Sequence, residues 1–440
     1  MLHSNLKIIE ELRLFVQLVV QEPTVLAKFS LSPQSFTRTR KLPFDRLVLL
    51  IAKLCKKTLS VELEKFFEDL AVPVCCSVSA FTQQRMKLNA VFFELWNQLL
   101  VACYYQYYGS QVKRWKGYRI IAADGSNISL VNTPALHAYF GGQTNQSGSF
   151  VQAKTFYYYD ALNELVVLAQ IHPYRHGELS IAYDNMHRLE SDMLLIYDRN
   201  FCNYKMLALH LWQEKEIKFV IRGNEQQLFI RKFINSGAAN EVIYLPPTIY
   251  AINGLSRCGY KVDNNTLIKV RLIRVDLEKS IEVLITNLWE EDGHPTAEFK
   301  ELYFKRWGVE TNIALQKNIL QLESFSGLTV LSIKQDFYAT VFIANLHSVL
   351  IKEAQHTVDS YTSKRKYPAK INKNKSYAKM RGYLVALFIH REPEEILKIL
   401  HDYFIRNPTP QRQGRTFPRI VKNRQSKSKH KTYMNYKPAF

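Results

Sequence analysis

The chain has 440 residues, and its 59 Lys and Arg outnumber its 39 Asp and Glu, so the formal net charge is +20. Because 47% of the residues are hydrophobic, we expect a large buried core and two or three domains. No apolar run reaches the roughly 18 residues that a membrane helix needs. The N-terminus also lacks the basic segment, apolar segment and cleavage site of a signal peptide. We therefore expect a chain that neither spans a membrane nor is secreted.

The charge excess predicts a polyanionic partner, most often nucleic acid. It is concentrated in two blocks, with ten Lys or Arg and no acid in residues 403–440 and eight more in residues 364–381. A single block would also suit a solvated tail, but two blocks and a global excess favour nucleic acid. The tail has no apolar face for a membrane surface. The six cysteines show no metal-ligand spacing, which is typical of a reduced, cytoplasmic protein.

The predicted elements change character along the chain. Residues 1–112 have the apolar spacing of helices. From about residue 118, a buried strand ends at Asp124, with a turn at Gly125 after it, and a hairpin follows. A second buried strand ends at Asp198, and a helix and another strand come next. This order predicts a mixed α/β sheet, whereas residues 225–292 show strand patterns without a convincing helix and predict an inserted β-rich subdomain.

A helix predicted over residues 302–320, LYFKRWGVETNIALQKNIL, has an unusual polar face. At about 100° per residue, four of its side chains fall within an arc of roughly 60°: Tyr303, Arg306, Glu310 and Lys317. Arg306 and Glu310 form an i, i+4 pair, so a solvent-exposed face with ion pairs is one interpretation. The two strand-end aspartates favour a second interpretation, a catalytic site.

Three carboxylates predict a site for a hard cation. Neighbouring strands would bring Asp124 and Asp198 within reach of one ion, and a helix packed beside the sheet would add Glu310. Without competing His or Cys, such a set suits Mg²⁺ or Mn²⁺. Two such ions about 3.5–4 Å apart would act on both the attacking and the leaving oxygen of a phosphodiester. The expected substrate is therefore the backbone of a nucleic acid.

The other side chains of the helix face would then contact that backbone. Arg306 lies one turn before Glu310 and is suited to a bidentate phosphate contact. Lys317 lies roughly 10 Å further along the helix than Glu310 and would meet a different phosphate. Tyr303 would donate to a phosphate oxygen or stack on a base.

These residues resemble the signature of a known family. The spacing Tyr, two residues, Arg, three residues, Glu, six residues, Lys is similar to that of bacterial insertion-sequence DDE transposases of the insertion-sequence-four family. The segment DGS at Asp124 followed by ALHAYFG resembles the first acidic motif, and YDRNF at Asp198 resembles the second. VLITNL and SAFTQQRMKL are also similar, and the match covers roughly residues 77–380. Asn200 replaces the usual Gly after the second Asp and Arg, and Asn tolerates a left-handed backbone.

The resemblance implies an α/β fold: a ribonuclease H-like catalytic core with an inserted β-rich subdomain, a helical N-terminal domain and a helical, basic C-terminal region. The implied domains follow in chain order: a helical DNA-binding region (1–112), the first part of the core (113–224), the β-rich insertion (225–292), the core completed by the signature helix (293–355), and the basic C-terminal region with its tail (356–440).

The resemblance also implies a reaction. Asp124, Asp198 and Glu310 would be the catalytic, metal-binding triad for two Mg²⁺ ions, with Mn²⁺ as a substitute, and the remaining signature residues would bind DNA: Tyr303, Arg306 and Lys317. Hydrolysis at a transposon end would free a 3′-hydroxyl that attacks target DNA, in a cut-and-paste process that in relatives includes a hairpin step. The implied partners are double-stranded DNA of the terminal inverted repeats and the target, bound by a homodimer. The implied location is the bacterial cytoplasm, at the nucleoid.

Three alternatives stay open. A metal-dependent nuclease would use the same carboxylates without strand transfer, although the basic helix face and basic flanks argue against it. A catalytically idle DNA-binding relative would not need three intact carboxylates. A structural or RNA-binding basic protein is the third alternative. The histidines His172, His176 and His187 have no metal-ligand spacing to one another, so we expect them to pack or to form hydrogen bonds.

Overall fold

The computed structural model describes residues 2–38, 41–73, 76–145, 148–278 and 280–412. Residues 413–440 of the predicted basic tail therefore lie outside the described residues. The helices are α1 (Leu2–Gln21), α2 (Pro23–Lys28), α3 (Phe44–Ala52), α4 (Leu59–Asp69), α5 (Val78–Arg85), α6 (Val91–Tyr108), α7 (Pro134–Phe140), α8 (Glu178–Asp184), α9 (Tyr204–Leu211), α10 (Leu228–Ser236), α11 (Ile249–Ser256), α12 (Phe299–Phe304), α13 (Trp307–Asn318), α14 (Val330–Thr362), α15 (Lys373–Ile389) and α16 (Pro393–Arg406). In the described ranges, no helix is both long enough and apolar enough to cross a membrane.

The strands are β1 (Arg119–Ser129), β2 (Gly142–Asn145), β3 (Gly148–Asp160), β4 (Leu165–Pro173), β5 (Met193–Tyr197), β6 (Lys218–Arg222), β7 (Asn240–Leu245), β8 (Ile268–Asp276), β9 (Ile281–Thr286), β10 (Ala369–Ile371) and β11 (Pro408–Pro410). The chain divides into two compact units. The first comprises Met1–Gln111, Ile128–Ala153 and Ala314–Phe440, and the second comprises Val112–Asn127 and Lys154–Ile313.

The first unit is built around α6 and the 33-residue helix α14. The rings of Trp96 and Phe342 stack with their centroids 4.0 Å apart. The next residue after Trp96, Asn97, accepts a buried hydrogen bond of 2.8 Å from the amide of Asn345. A polar pair inside an apolar contact favours one register of the two long helices, because sliding would break this hydrogen bond. The helices predicted for residues 1–112 are present in this unit.

The second unit contains a mixed sheet in which β3-β1-β5-β6-β9-β8-β7 follow one another in that order, and β4 also pairs with β3. The three central strands β1, β5 and β6 are parallel. Antiparallel pairing then continues outward through β9, β8 and β7. The α/β class predicted from the alternating patterns is therefore correct. Strand β5 is buried along its whole length, as expected for a strand whose two faces are both covered.

The two faces of this sheet pack against different helices. On one face, residues of β1, β5 and β6 pack with α8, α9, α10 and α11. On the other face, Ile120 of β1 and Leu194 and Ile196 of β5 pack with side chains of α12, including Tyr303. Because side chains alternate along a strand, the even-numbered residues of β1 and β5 point toward α12. This alternation decides which helix each polar residue at the strand ends will meet.

The prediction of a helix-free insertion at residues 225–292 is wrong. Helices α10 and α11 lie in that segment, and β9 pairs with β6, so the strands extend the central sheet. Gly237 ends α10 in the left-handed conformation. Pro246 and Pro247 follow β7 and end its strand pairing, since proline has no N–H to donate. Thr248 then caps α11 by accepting a hydrogen bond from Ala251.

Candidate active site

Two aspartates follow the paired parts of adjacent parallel strands. Strands β1 and β5 are parallel, and Ala122 is the partner of Ile196 in their register. Asp124 and Asp198 each lie two residues beyond that pair. Parallel strands are about 4.8 Å apart, and by alternation both carboxylates belong to the face that carries α12. The sheet therefore brings together the two residues that the apolar patterns singled out.

Asp124 does not end its strand, contrary to the sequence prediction. Strand β1 continues through Asp124 and Gly125 to Ser129, and the backbone N–H of Gly125 donates to the Asp124 carboxylate at 2.8 Å. Burial raises the pKa of Asp124 to about 7. The Gly125 hydrogen bond opposes this rise, the charges of Glu310 and Glu178 add to it, and Arg306 lowers it. Asp124 and Glu310 are thus electrostatic neighbours.

Asp198 caps a short helical turn. Its side chain accepts a hydrogen bond from the N–H of Asn200 at the start of the 3-10 helix Arg199–Phe201. Asn200 has a negative φ, so the left-handed backbone expected for this position is not needed. Asp198 also acts electrostatically on Tyr303. It therefore faces the same helical segment as Asp124.

The signature segment is not one straight helix, and the predicted single stripe is wrong. Helix α12 ends at Phe304 and α13 begins at Trp307. The joint is a tight turn in which the N–H of Arg306 donates to the carbonyl of Tyr303 at 3.0 Å and the N–H of Gly308 donates to that of Lys305 at 3.0 Å. These three-residue hydrogen bonds replace the four-residue bonds of an α-helix. Arg306 therefore lies in a bend, close to the acids.

Arg306 is the internal cation of the site. Its side chain is 7% exposed and its Nη1 donates to Glu310 Oε1 at 2.6 Å. The guanidinium also lies over the rings of Tyr303 and Trp307, at 5.7 and 4.7 Å. Burial alone would lower the pKa of Arg306, but Tyr303, Glu310 and Asp124 raise it overall. The cation is thus held beside the carboxylates.

Two buried donors of this site lack partners in the part of the chain that the structure describes. They are the hydroxyl of Tyr303 and the Nε of Arg306. Burial raises the pKa of the Tyr303 phenol, so it stays a hydrogen-bond donor. Unpaired buried donors are rare in folded proteins and require an explanation. Oxygen atoms of a bound ligand would satisfy both.

Lys317 lies in the last turn of α13 and is half-buried. It belongs to the first compact unit. The other predicted site residues all belong to the second unit: Asp124, Asp198, Tyr303, Arg306 and Glu310.

The chemistry of the donors fits a hard divalent cation, because the three acids offer carboxylate oxygens. Among the described residues, however, no group of three or more His, Cys, Asp or Glu is arranged to hold an ion. In this arrangement Glu310 accepts from Arg306, and Asp198 accepts from a backbone amide. Arg306 occupies only Oε1 of Glu310, so the second oxygen of that carboxylate could serve as an ion ligand.

Sequence reasoning missed Glu178 and its partner Lys154. Lys154 Nζ donates to Glu178 Oε1 at 3.0 Å, and Glu178 is close enough to raise the pKa of Asp124. Glu178 lies in the first turn of α8, where acids are common for helix-dipole reasons. No local pattern could therefore have distinguished it from an ordinary helix-start residue.

Comparison with known proteins shows the family of the chain. The model of the transposase DDE domain family matches residues 115–346, which include Asp124, Asp198 and Glu310. The chain belongs to this family of transposases, and within it to the insertion-sequence-four group. The transposase InsG of insertion sequence element IS4 from Escherichia coli strain K12 is 23% identical over 327 residues, covering 70% of this chain and 69% of that protein.

A solved structure with some similarity is the piggyBac transposase synaptic complex with hairpin DNA. It is 11% identical, with coverage of 97% of this chain and 88% of that chain, and its TM-score is 0.41. Nothing further follows from a likeness at that level.

Proposed function

We propose that the protein is a DNA transposase that cleaves transposon ends and joins them to target DNA by cut-and-paste. The observation that carries this proposal is the meeting of Asp124, Glu310 and Arg306 in one half-buried site. Asp198 follows the neighbouring parallel strand at the same level. Membership of a transposase family supports this assignment. The parallel strands β1 and β5, each with an aspartate two residues beyond their last shared pair, also support a ribonuclease H-like core.

The residues would divide the work between holding metal and holding DNA. Asp124, Asp198 and Glu310 would hold Mg²⁺ or Mn²⁺, with two ions in the active complex. When bound, such an ion would polarise a phosphoryl oxygen and make a water molecule a better nucleophile. Arg306 and Tyr303 would donate to phosphate oxygens through the two donors that have no partner among the described residues. Lys317 would bind a second phosphate.

The substrate would be double-stranded DNA of the terminal inverted repeats, followed by target DNA. A net charge of +20 favours such a partner. We propose a homodimer in the DNA complex and a location in the bacterial cytoplasm.

The direct test uses the full chain, Mg²⁺ and DNA fragments that carry the sequences flanking the coding region. Cleavage at the ends, followed by joining of the new 3′-hydroxyls to a plasmid, is the expected result. Cleavage without joining would favour the simple nuclease. Binding without cleavage would favour the catalytically idle relative. The absence of both binding and cleavage would refute the proposal.

Metal binding should depend on the protonation of Asp124. Because its pKa is raised to about 7, Asp124 should be mostly protonated at about pH 6 and ionised at about pH 8. A cation requires the ionised form, so Mn²⁺ affinity should fall by roughly tenfold for each pH unit below the pKa. Calorimetric Mn²⁺ titrations at several pH values would measure this.

The raised pKa of Asp124 also makes the stability of the fold depend on pH. The folded state binds this proton more tightly than the unfolded state does, so Asp124 should destabilise the metal-free fold as the pH rises from its ordinary pKa of 3.8 toward 7. In an Asp124→Asn variant, this part of the pH dependence should disappear. A Mn²⁺ affinity that does not change with pH in the unsubstituted protein would contradict the prediction that the protonation of Asp124 controls metal binding.

The basic tail should add to the salt dependence of DNA binding. Deleting residues 413–440 removes eight Lys or Arg. Each lost phosphate contact should make the slope of log affinity against log salt shallower by about 0.9. A variant of unchanged length with these eight residues replaced by Gln should behave like the deletion. If the slope of both variants equals that of the full chain, the tail does not contact DNA.

A further inference from the structure

Glu178 lies against the backbone next to Asp124. A Cβ atom built on Gly125 would fall 2.6 Å from Cγ, Cδ and Oε1 of Glu178. Atoms at that separation overlap strongly, so the end of the Glu178 side chain occupies the space that any larger residue at position 125 would need. This contact gives a physical reason for a glycine after the first aspartate. The strand itself does not require one, since no positive φ is found at this position.

Glu178 approaches from the face of the sheet opposite to Glu310. Ile181 and Ala182 of α8 pack in one cluster with Ile121 and Ala123, the odd-numbered residues of β1. Gly125 continues that odd-numbered series. Glu178 therefore contacts the strand from behind, while Glu310 and Arg306 are on the side of the Asp124 carboxylate.

Strand β3 anchors Glu178. Lys154 Nζ donates to Glu178 Oε1 at 3.0 Å, and the two side chains are only 15% and 24% exposed. The next residue, Thr155, donates its hydroxyl to the carbonyl of Ser126 at 2.8 Å. Two neighbouring residues of β3 therefore stabilise the segment 124–126. Lys154 does so through Glu178, and Thr155 does so through a direct hydrogen bond. A shift of Glu178 away from Gly125 would break its hydrogen bond to Lys154 unless the Lys154 side chain moved with it.

We propose that Glu178 is a positioning residue of the candidate active site, which Lys154 holds against Gly125 so that the Asp124 backbone stays in one place. Glu178 acts through Asp124 and does not touch DNA. The role in catalysis rests on the proposed function. A small displacement of a catalytic carboxylate lowers a rate far more than it lowers stability, and this difference makes the role measurable.

The test compares four variants of the full chain: Gly125→Ala, Glu178→Gln, Lys154→Met and the double variant Gly125→Ala/Glu178→Ala. Each single substitution should slow single-turnover cleavage of end DNA on the order of 10- to 100-fold. DNA affinity and the unfolding temperature should change little. Calorimetry should show weaker Mn²⁺ binding by Gly125→Ala. Because the double variant removes the overlap, it should bind Mn²⁺ more tightly and cleave faster than Gly125→Ala alone.

A matched control is Glu290→Gln, which removes the 3.1 Å ion pair with Arg271 in the same unit. It should leave cleavage and Mn²⁺ binding unchanged. Wild-type cleavage by Glu178→Gln, or a double variant no better than Gly125→Ala, overturns the positioning role alone. So does a loss of cleavage that only tracks a loss of DNA binding or of folded protein. A wild-type chain that cleaves no DNA overturns the proposed function, and the catalytic role of Glu178 with it.

Discussion

Replacing Glu310 by Gln should abolish cleavage of transposon-end DNA while binding of that DNA survives. The substitution keeps the size of the side chain and removes its charge. Cleavage should fall at least about a thousandfold, as is common when a central catalytic group is lost. Arg306, which contacts the Glu310 carboxylate at 2.6 Å, would face a neutral amide oxygen and be more available to phosphate, so DNA affinity should stay equal or rise. Gel-shift and single-turnover cleavage assays would measure the two effects separately.

The control for this prediction is Glu301→Gln on α12. Glu301 forms an i, i+4 ion pair with Lys305 at 3.1 Å and is 82% exposed. The substitution therefore removes an ion pair of the same spacing that does not involve the candidate catalytic carboxylates. Cleavage by that variant should equal that of the wild type. Cleavage by Glu310→Gln within about tenfold of wild type would remove Glu310 from the catalytic set.

Replacing Arg85 by Met should cause the largest loss of stability among the substitutions considered. Arg85 is 1% exposed, and its guanidinium donates to Asp336 at 2.9 Å, to Gln335 at 2.9 Å and to Ser326 at 2.7 Å. Removing one partner of a buried ion pair leaves the other charge without compensation, which costs about 3–5 kcal/mol. Denaturant unfolding should show this as a decrease in the free energy of unfolding.

Two comparisons make the Arg85 prediction specific. The double variant Arg85→Met/Asp336→Leu should be more stable than Arg85→Met, since no buried charge remains. Lys65→Met, which removes an ammonium group on a 59% exposed side chain that pairs with Glu68 and Asp69, should change stability little. If Arg85→Met were as stable as Lys65→Met, the buried pair would not support the fold.

The loss in Arg85→Met should also depend on pH. Burial alone would raise the pKa of Asp336, but Arg85, Lys56 and the hydrogen bonds from Ser326 hold it below its ordinary value. A lowered pKa contributes stability that is present above the unfolded-state value and is lost as the pH falls through the folded-state value. The stability gap between wild type and variant should therefore be widest near neutral pH and narrow in acid, which unfolding curves at several pH values would measure.

The secondary structure near the site was predictable where local chemistry decides it. Strand β5 is an uninterrupted apolar run, and a buried strand is the natural interpretation of such a run. The segment after β6 was less predictable. Its helix α10 depends on the left-handed Gly237, and the apolar residues next to it also fit strands. Short apolar segments stay ambiguous between helix and strand until their packing is known.

The sequence alone was enough to single out Asp124, Asp198, Glu310 and Arg306, because each ends an apolar run or lies in a spaced signature. Only the tertiary structure decided how they are used. The burial of Arg306 beside Asp124, the Tyr303 hydroxyl left without a partner among the described residues, and the approach of Glu178 to Gly125 all depend on sheet order and on which face each helix covers. Such contacts join residues far apart in the chain, and a local pattern carries no information about them.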